Sequence, residues 1–129
     1  MASEENVKVA VRVRPFNKRE KERKAKLAVS MKGPSTYLQH PDGNKAFTFD
    51  FSYWSFDGCK DRGDGYWEAD PSHENAHQFA DQGKVYADLG EGIMGNAWAG
   101  FNSTLFAYGQ TGSGKSYSVV GYGTNKAPY

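Results

Sequence analysis

Four residues near the end of the chain have the types and spacing of a phosphate-binding loop. Gly109, Gly114, Lys115 and Ser116 match the pattern G-x-x-x-x-G-K-[ST]. Glycine lets backbone N–H groups approach a polyphosphate closely, a lysine ammonium attracts the outer phosphates, and a serine hydroxyl is a suitable ligand for Mg²⁺. The intervening residues are Gln110, Thr111, Gly112 and Ser113. This pattern favours a nucleotide site over an ordinary glycine turn.

Such a loop needs a buried strand before it and a helix after it. The apolar run Leu105-Phe-Ala-Tyr108 predicts the strand, and Lys115 to Val120 can begin a helix whose N–H groups and dipole face an anion. Further upstream, Asp81 to Ala99 predicts a helix capped by Asp81 and closed by Gly100. Its apolar stripe is Val85, Leu89, Ile93 and Ala97, joined by Tyr86 and Trp98.

The N-terminal part of the chain is typical of short strands. A valine stands at every second position from Val7 to Val13, which predicts a strand that Pro15 ends. Its cationic side carries Lys8, Arg12 and Arg14. The two arginines are either a solvated strand face or a pair of guanidiniums close to an anion or an adenine ring.

A small β meander is expected next. Segments Leu27 to Met31, Thr36 to Gln39 and Ala46 to Phe51 are separated by Gly33-Pro34 and Pro41-Asp-Gly-Asn44, which are strong turn signals. Aromatic residues alternate from Ala46 to Trp54 and are predicted to face a core; they are Phe47, Phe49, Phe51 and Tyr53. Asp57 to Ala80 is long, polar and rich in Gly and Asp, and no regular structure is expected there.

Composition restricts the class of protein. The 129 residues make one domain or part of a larger one, and 16 basic against 15 acidic residues give no signal for nucleic acid or a membrane surface. No apolar run reaches membrane-spanning length, and Met1 to Asn6 shows no targeting pattern. Cys59 is the single cysteine, so an intrachain disulfide is excluded and a reducing, intracellular setting is expected.

Two further patterns compete for a function. His73-Glu-Asn-Ala-His77 matches H-E-x-x-H, in which His73 and His77 would bind zinc and Glu74 would act as general base. The segment has no apolar stripe and no later histidine for a third ligand, so a solvated loop is favoured and a zinc hydrolase is a remote alternative. Gly90 to Gly95 matches G-x-G-x-x-G, but it lies inside the predicted helix without a downstream acid, which favours helix packing.

Three segments together resemble the kinesin motor domain. Val7 to Pro15 is similar to its first strand and its R-x-R-P nucleotide-base motif, and Phe47-Thr-Phe-Asp50 is similar to its F-x-F-D strand. Val85 to Tyr117 resembles its helix followed by G-[YF]-N and by F-A-Y-G-Q-T-G-S-G-K-[ST]-[YH], the most specific of the three matches. The region of Trp54 is similar to the third, vesicle-transport subfamily.

The resemblance implies an α/β P-loop NTPase fold: the N-terminal part of a mixed central sheet flanked by helices, with a small β meander. It also implies that Gly109 to Ser116 hold the phosphates of ATP, with Lys115 on the outer phosphates and Ser116 on Mg²⁺. The adenine would be surrounded by Arg12, Arg14, Pro15 and Tyr117. In this family a later strand lies between the first strand and the phosphate-loop strand, so unpaired strand edges and uncovered apolar faces are expected here.

Residues 1–129 are accordingly interpreted as a partial motor domain. They contain neither the N-x-x-S-S-R nor the D-x-x-G motif of the family's switch regions, and no carboxylate follows Glu91. The whole motor is expected to hydrolyse ATP, to bind microtubules and to be cytoplasmic and cytoskeletal. This chain alone is expected to bind ATP without motor-rate hydrolysis and to bind microtubules weakly or not at all. The alternative is a non-motor nucleotide-binding or interaction module, and no nucleic-acid partner or membrane insertion is expected.

Overall fold

The computed structural model describes residues 7–125. Segments 1–6 and 126–129 lie outside the described residues, and so does the prediction on targeting, which concerns Met1 to Asn6. The described part forms two compact units that adjoin in sequence between Asp57 and Gly58. No helix within residues 7–125 is long and apolar enough to cross a membrane.

The first unit combines a parallel strand pair with an antiparallel meander. Its elements are β1 Ala10–Val13, helix α1 Lys18–Glu22, β2 Val29–Lys32, β3 Ser35–Leu38, β4 Lys45–Thr48 and β5 Phe51–Trp54. Strand β1 pairs in parallel with β5, in a register that places Ala10 opposite Phe51. Strands β2, β3 and β4 form the three-stranded meander. The predicted meander is present, whereas the predicted first strand is shorter because Val7 and Val9 lie exposed before it.

The core of this unit lies under β5. Tyr53 and Trp54 are 3% and 4% exposed, and the Trp54 indole N–H donates to Asp57 Oδ1 at 2.7 Å. Thr36, buried in β3, shares a hydrogen bond of 2.8 Å with Ser52 of β5, which ties the meander to the parallel pair.

The predicted aromatic alternation is wrong in part, because the stretch from Ala46 to Trp54 contributes to two strands, β4 and β5, and not to one. Between β4 and β5, the Val9 backbone N–H donates to Asp50 Oδ2 at 2.7 Å, and the Asp50 N–H donates to the Val9 carbonyl at 3.0 Å. These bonds redirect the chain from the meander to β1. Phe47 therefore stays 45% exposed and lines an apolar groove of about 430 Å³ with side chains of β1 and β2, and Trp54 is buried although the alternation did not include it.

The second unit contains a short hairpin, a long irregular helix and a short helix. Its elements are β6 Cys59–Asp61, β7 Trp67–Ala69, a 3₁₀ turn Ala76–Gln78, α2 Gln82–Val85, a π turn Tyr86–Gly90, α3 Glu91–Trp98, α4 Lys115–Val119 and a 3₁₀ turn Gly123–Asn125. Strands β6 and β7 pair antiparallel. The expectation that Asp57 to Ala80 has no regular structure is therefore wrong. Asp61 Oδ1 accepts from the N–H groups of Gly63 and Gly65 at 2.7 and 3.0 Å, which closes the hairpin turn.

The predicted helix from Asp81 to Ala99 corresponds to α2, the π turn and α3. Asp81 Oδ1 accepts from the Lys84 N–H at 2.8 Å as an N-cap, and Gly100 adopts φ +85° after α3. The predicted apolar stripe is partly buried at Val85, Leu89 and Ile93, whereas the later members Ala97 and Trp98 are exposed.

The predicted buried strand before the loop is not formed. Residues 101–109 have no regular structure, and Phe106 and Tyr108 are 86% and 103% exposed. A strand requires a hydrogen-bonded neighbour, and no segment within residues 7–125 pairs with this one. The apolar run therefore remains an exposed connection between α3 and α4.

Candidate phosphate-binding site

The backbone from Gly109 to Ser116 forms a compact turn. Gly112 and Gly114 have φ values of +82° and +101°, a conformation that favours glycine. The Ser113 N–H donates to the Gln110 carbonyl at 3.0 Å and closes the turn. A Cβ at Gly109 would collide with the Ser113 side chain, so the close approach of the two ends of the loop requires glycine there.

The Lys115 side chain reaches back across the loop. Its Nζ donates to the Gly109 carbonyl at 2.5 Å, six residues earlier in the sequence. No carboxylate in the described part of the chain forms an ion pair with Lys115. The ammonium is thus held at the loop with its positive charge available to an anion.

Helix α4 starts at Lys115, within the last two residues of the loop. Its first i→i−4 bond joins the Ser118 N–H to the Gly114 carbonyl at 3.0 Å, so the N–H groups of Lys115 and Ser116 precede the bonded ladder. Such N–H groups are suited to phosphate oxygens. The helix has five residues, so its dipole is small, and the loop backbone and Lys115 are the main features suited to an anion.

Ser116 fits Mg²⁺ as one ligand among several, with waters and phosphate oxygens as the others. Ser116 is exposed at the start of α4 and supplies one hard hydroxyl oxygen. No group of three or more His, Cys, Asp or Glu residues that could hold a metal lies within residues 7–125. Mg²⁺ usually keeps several waters and binds substrate phosphates together with one or two protein oxygens, and this arrangement suits that mode.

Arg14 is held in a fixed geometry by Glu20. Two guanidinium nitrogens of Arg14 donate to the two carboxylate oxygens of Glu20 at 2.7 and 2.8 Å, and the Asn17 backbone N–H donates to the same carboxylate at 2.8 Å. These bonds lower the pKa of Glu20 to about 2 and raise the pKa of Arg14. A guanidinium held by two hydrogen bonds along one edge has a fixed plane.

The other three residues expected at the adenine differ in exposure and in hydrogen bonding. The Arg12 Nε donates to Ser55 Oγ at 2.9 Å, Pro15 is exposed, and Tyr117 is half-buried in the first turn of α4. Arg12, Arg14 and Pro15 belong to the first unit, whereas Tyr117 and the loop belong to the second. Their assembly into one adenine site stays a prediction.

The H-E-x-x-H segment does not form the helix that a zinc protease uses. His73 lies in a bend and His77 in the 3₁₀ turn, so the two rings are not displayed on one α-helical face. His73 Nδ1 accepts from the Asn75 N–H at 3.0 Å, and His77 Nδ1 lies 3.0 Å from the Glu74 carbonyl oxygen. The solvated-loop interpretation is the one that fits.

Two partner residues were not predicted from the sequence. Glu20 could have been found, because Asn17-x-x-Glu20 is the signature of a capping box, which the structure contains. Gln82 could not, since a single glutamine after a helix cap carries no signal. Its side-chain amide donates to the Tyr117 carbonyl at 2.8 Å and to the Asn125 carbonyl at 3.0 Å.

Fold and loop together define the class of protein: the chain has the fold of a P-loop NTPase. A family profile described as the kinesin motor domain matches residues 12–127. The chain therefore belongs to the kinesin motor domain family. It is 49% identical to "Kinesin-related protein 1" of Dictyostelium discoideum and 48% identical to "Kinesin-like protein KIF28" of Mus musculus, over 94% and 95% of its length.

Solved kinesin structures are also similar. KIF14 with ADP in complex with a microtubule matches with a TM-score of 0.73 and 40% identity over 95% of this chain. A structure described as a fast kinesin matches with a TM-score of 0.66 and 26% identity over 88% of the chain. The chain spans 30% and 26% of those solved chains, and 5% and 12% of the two full-length relatives. The predicted kinesin membership is confirmed, and the predicted subfamily stays a prediction.

Proposed function

We propose that this chain binds ATP together with Mg²⁺ through Gly109 to Ser116, as the nucleotide-holding part of a microtubule motor. The observation that carries the proposal is the loop itself. Its three glycines have positive φ, and Lys115 places an ammonium 2.5 Å from the Gly109 carbonyl with no carboxylate partner within residues 7–125. Family membership over residues 12–127 supports it.

Within this proposal each residue has a separate role. The backbone N–H groups of the loop surround the phosphates, Lys115 neutralises the outer phosphates, and Ser116 supplies one oxygen to Mg²⁺, which would stabilise phosphate charge. Tyr117 provides an aromatic face for the adenine. Arg12, Arg14 and Pro15 complete the adenine surroundings, with Arg14 oriented by Glu20.

The chain is further proposed to be a partial motor domain that binds nucleotide without turning it over at motor rates. Hydrolysis in this class needs groups that hold Mg²⁺ and position the attacking water in addition to the loop. The 129 residues contain no N-x-x-S-S-R or D-x-x-G motif. By similarity to KIF14 in complex with a microtubule, the whole motor would act on microtubules, in the cytoplasm. This chain alone would bind microtubules weakly or not at all.

Direct titration with Mg-ATP tests the binding proposal. Lys115→Ala removes a charge-assisted contact worth about 1.5–3 kcal/mol, so the dissociation constant should rise about 10- to 100-fold. The matched control is Lys84→Ala, because Lys84 pairs with Asp88 at 3.1 Å on the exposed side of α2 and should leave affinity unchanged. Equal affinity of the parent chain and Lys115→Ala would contradict the proposed site.

A microtubule-stimulated ATPase assay tests the second part. Turnover at the level of the buffer blank is expected with and without microtubules. Robust turnover that Lys115→Ala abolishes would show that this chain is hydrolysis-competent and would overturn the partial-domain proposal. Nucleotide binding without turnover is also what a non-motor module would show, and co-sedimentation of a longer chain with microtubules separates the two.

A further inference from the structure

Two buried amide side chains connect the hairpin of the second unit to the helix that follows the loop. Gln82 and Asn125 are 6% and 7% exposed, which is unusual for amides unless their hydrogen bonds are made. Both lie outside the segment Gly109 to Ser116. Any effect of these two side chains on a phosphate held by that segment would therefore be indirect.

Gln82 uses its amide nitrogen on two backbone carbonyls. Nε2 donates to the carbonyl of Tyr117 at 2.8 Å and to the carbonyl of Asn125 at 3.0 Å. An NH₂ group has two donors. One of them holds α4 at the Tyr117 carbonyl, and the other holds the segment after α4 at the Asn125 carbonyl. The carbonyl of Tyr117 is only two residues after Lys115.

Asn125 continues the connection to the hairpin. Its Oδ1 accepts from the Trp67 N–H at 3.0 Å, and its Nδ2 donates to the Gly65 carbonyl at 2.7 Å. Thr124 Oγ1 adds a bond of 3.0 Å to the Asp64 carbonyl. The backbone around the β6–β7 turn is thus joined through Asn125 and Gln82 to the first turn of α4.

From this arrangement we infer that Gln82 is a positioning residue for the nucleotide site. It sets the placement of the first turn of α4, and with it Lys115, Ser116 and the ring of Tyr117, relative to the hairpin. The inference rests on the proposed nucleotide function and deepens it. Loss of the Gln82 amide removes its donors from the Tyr117 and Asn125 carbonyls, which loosens the first turn of α4.

The test compares Mg-ATP affinity of the parent chain, Gln82→Leu and Gln82→Glu by calorimetric titration. Gln82→Leu should weaken binding about tenfold. The matched control is Gln78→Leu, which removes a bond of 3.0 Å to Asn75 in the same unit and should bind as the parent does, because Gln78 has no hydrogen bond to α4 within residues 7–125.

Gln82→Glu supplies a readout that a purely structural role would not move. At neutral pH its carboxylate offers no donor to the two carbonyls, and on protonation it regains one O–H donor. Its affinity relative to the parent chain at the same pH should therefore recover as the pH is lowered, whereas the ratio for Gln82→Leu stays constant. A pH-independent ratio for Gln82→Glu would overturn the inference.

The remaining outcomes separate the inference from the proposed function. If the parent binds, Lys115→Ala does not and folded Gln82→Leu binds like the parent, the inference fails and the proposed function stands. If the parent chain does not bind Mg-ATP, the proposed function fails and the inference fails with it. Should circular dichroism show that Gln82→Leu is unfolded, Asn125→Ala decides: weakened binding supports the connection, and parental affinity overturns it.

Discussion

Two runs of four residues that contain aromatic side chains, Phe51–Trp54 and Leu105 to Tyr108, differ in structure. The first forms β5 and contains Tyr53 and Trp54, which are 3% and 4% exposed. The second forms no strand, and Phe106 and Tyr108 are 86% and 103% exposed. Both runs are rich in aromatic residues and both resemble strands in sequence.

The two runs differ in whether a neighbouring strand is present to pair with them. Strand β5 pairs with β1 over four residues, with Val13 opposite Trp54. No segment among residues 7–125 pairs with Leu105 to Tyr108. Strand propensity describes how well a side chain fits a half-buried pleated surface, so it has no effect where no such surface exists.

The largest expected effect contrasts one tyrosine in each run. Tyr53→Ala removes a buried aromatic side chain and should lower the free energy of unfolding by about 3–5 kcal/mol. Tyr108→Ala changes an exposed side chain and should stay within about 0.5 kcal/mol. Urea unfolding of the whole chain followed by circular dichroism measures both. Equal losses would mean that Tyr108 is buried in solution, and the contrast would be wrong.

An intermediate effect concerns the exposed run. A protruding phenylalanine favours self-association, since burying its side chain contributes about 1.5–3 kcal/mol. Phe106→Ser should therefore weaken self-association about tenfold in sedimentation velocity. Val7→Ser, at another exposed apolar residue, is the control and should change little. Unchanged association of Phe106→Ser would show that the run does not mediate it.

The smallest effect tests what stabilises the end of β1. The bonds from Arg14 and Asn17 lower the pKa of Glu20 from 4.5 to about 2. A lowered carboxyl pKa contributes stability that is complete above about pH 4.5, falls as the pH drops toward 2, and is absent below it. The unfolding midpoints of the parent and Glu20→Gln should therefore differ at pH 6 and converge at pH 2. A difference that grows on acidification would contradict this pairing.

Features with local signals could be predicted from the sequence. The meander follows from Gly33-Pro34 and Pro41-Asp-Gly-Asn44, and the long helix follows from Asp81 and Gly100, because turns and caps depend on a few adjacent residues. The hairpin between Cys59 and Ala69 was missed because its strands have three residues each, too few for periodicity, although Asp61 and the two turn glycines marked its turn.

The site divides in the same way. The sequence alone leads to the proposal of Gly109 to Ser116, because the phosphate-loop motif consists of the types and spacing of adjacent residues. Gln82 could not, because its partner Tyr117 is 35 residues away and the bond depends on how the elements pack. The splitting of the aromatic run at Asp50 was equally hidden, since Asp50 bonds to Val9 across 41 positions.

The π turn Tyr86–Gly90 accommodates one extra residue in the long helix. The Glu91 N–H donates to the Tyr86 carbonyl five positions earlier, so this turn holds one residue more than an α-helical turn. Residues beyond it therefore lie about 100° less far round the helix axis than an unbroken α-helix of the same sequence would place them. Deleting one residue within this turn would leave a regular α-helical turn and keep Ile93 and Met94 on the side of the helix where they now lie.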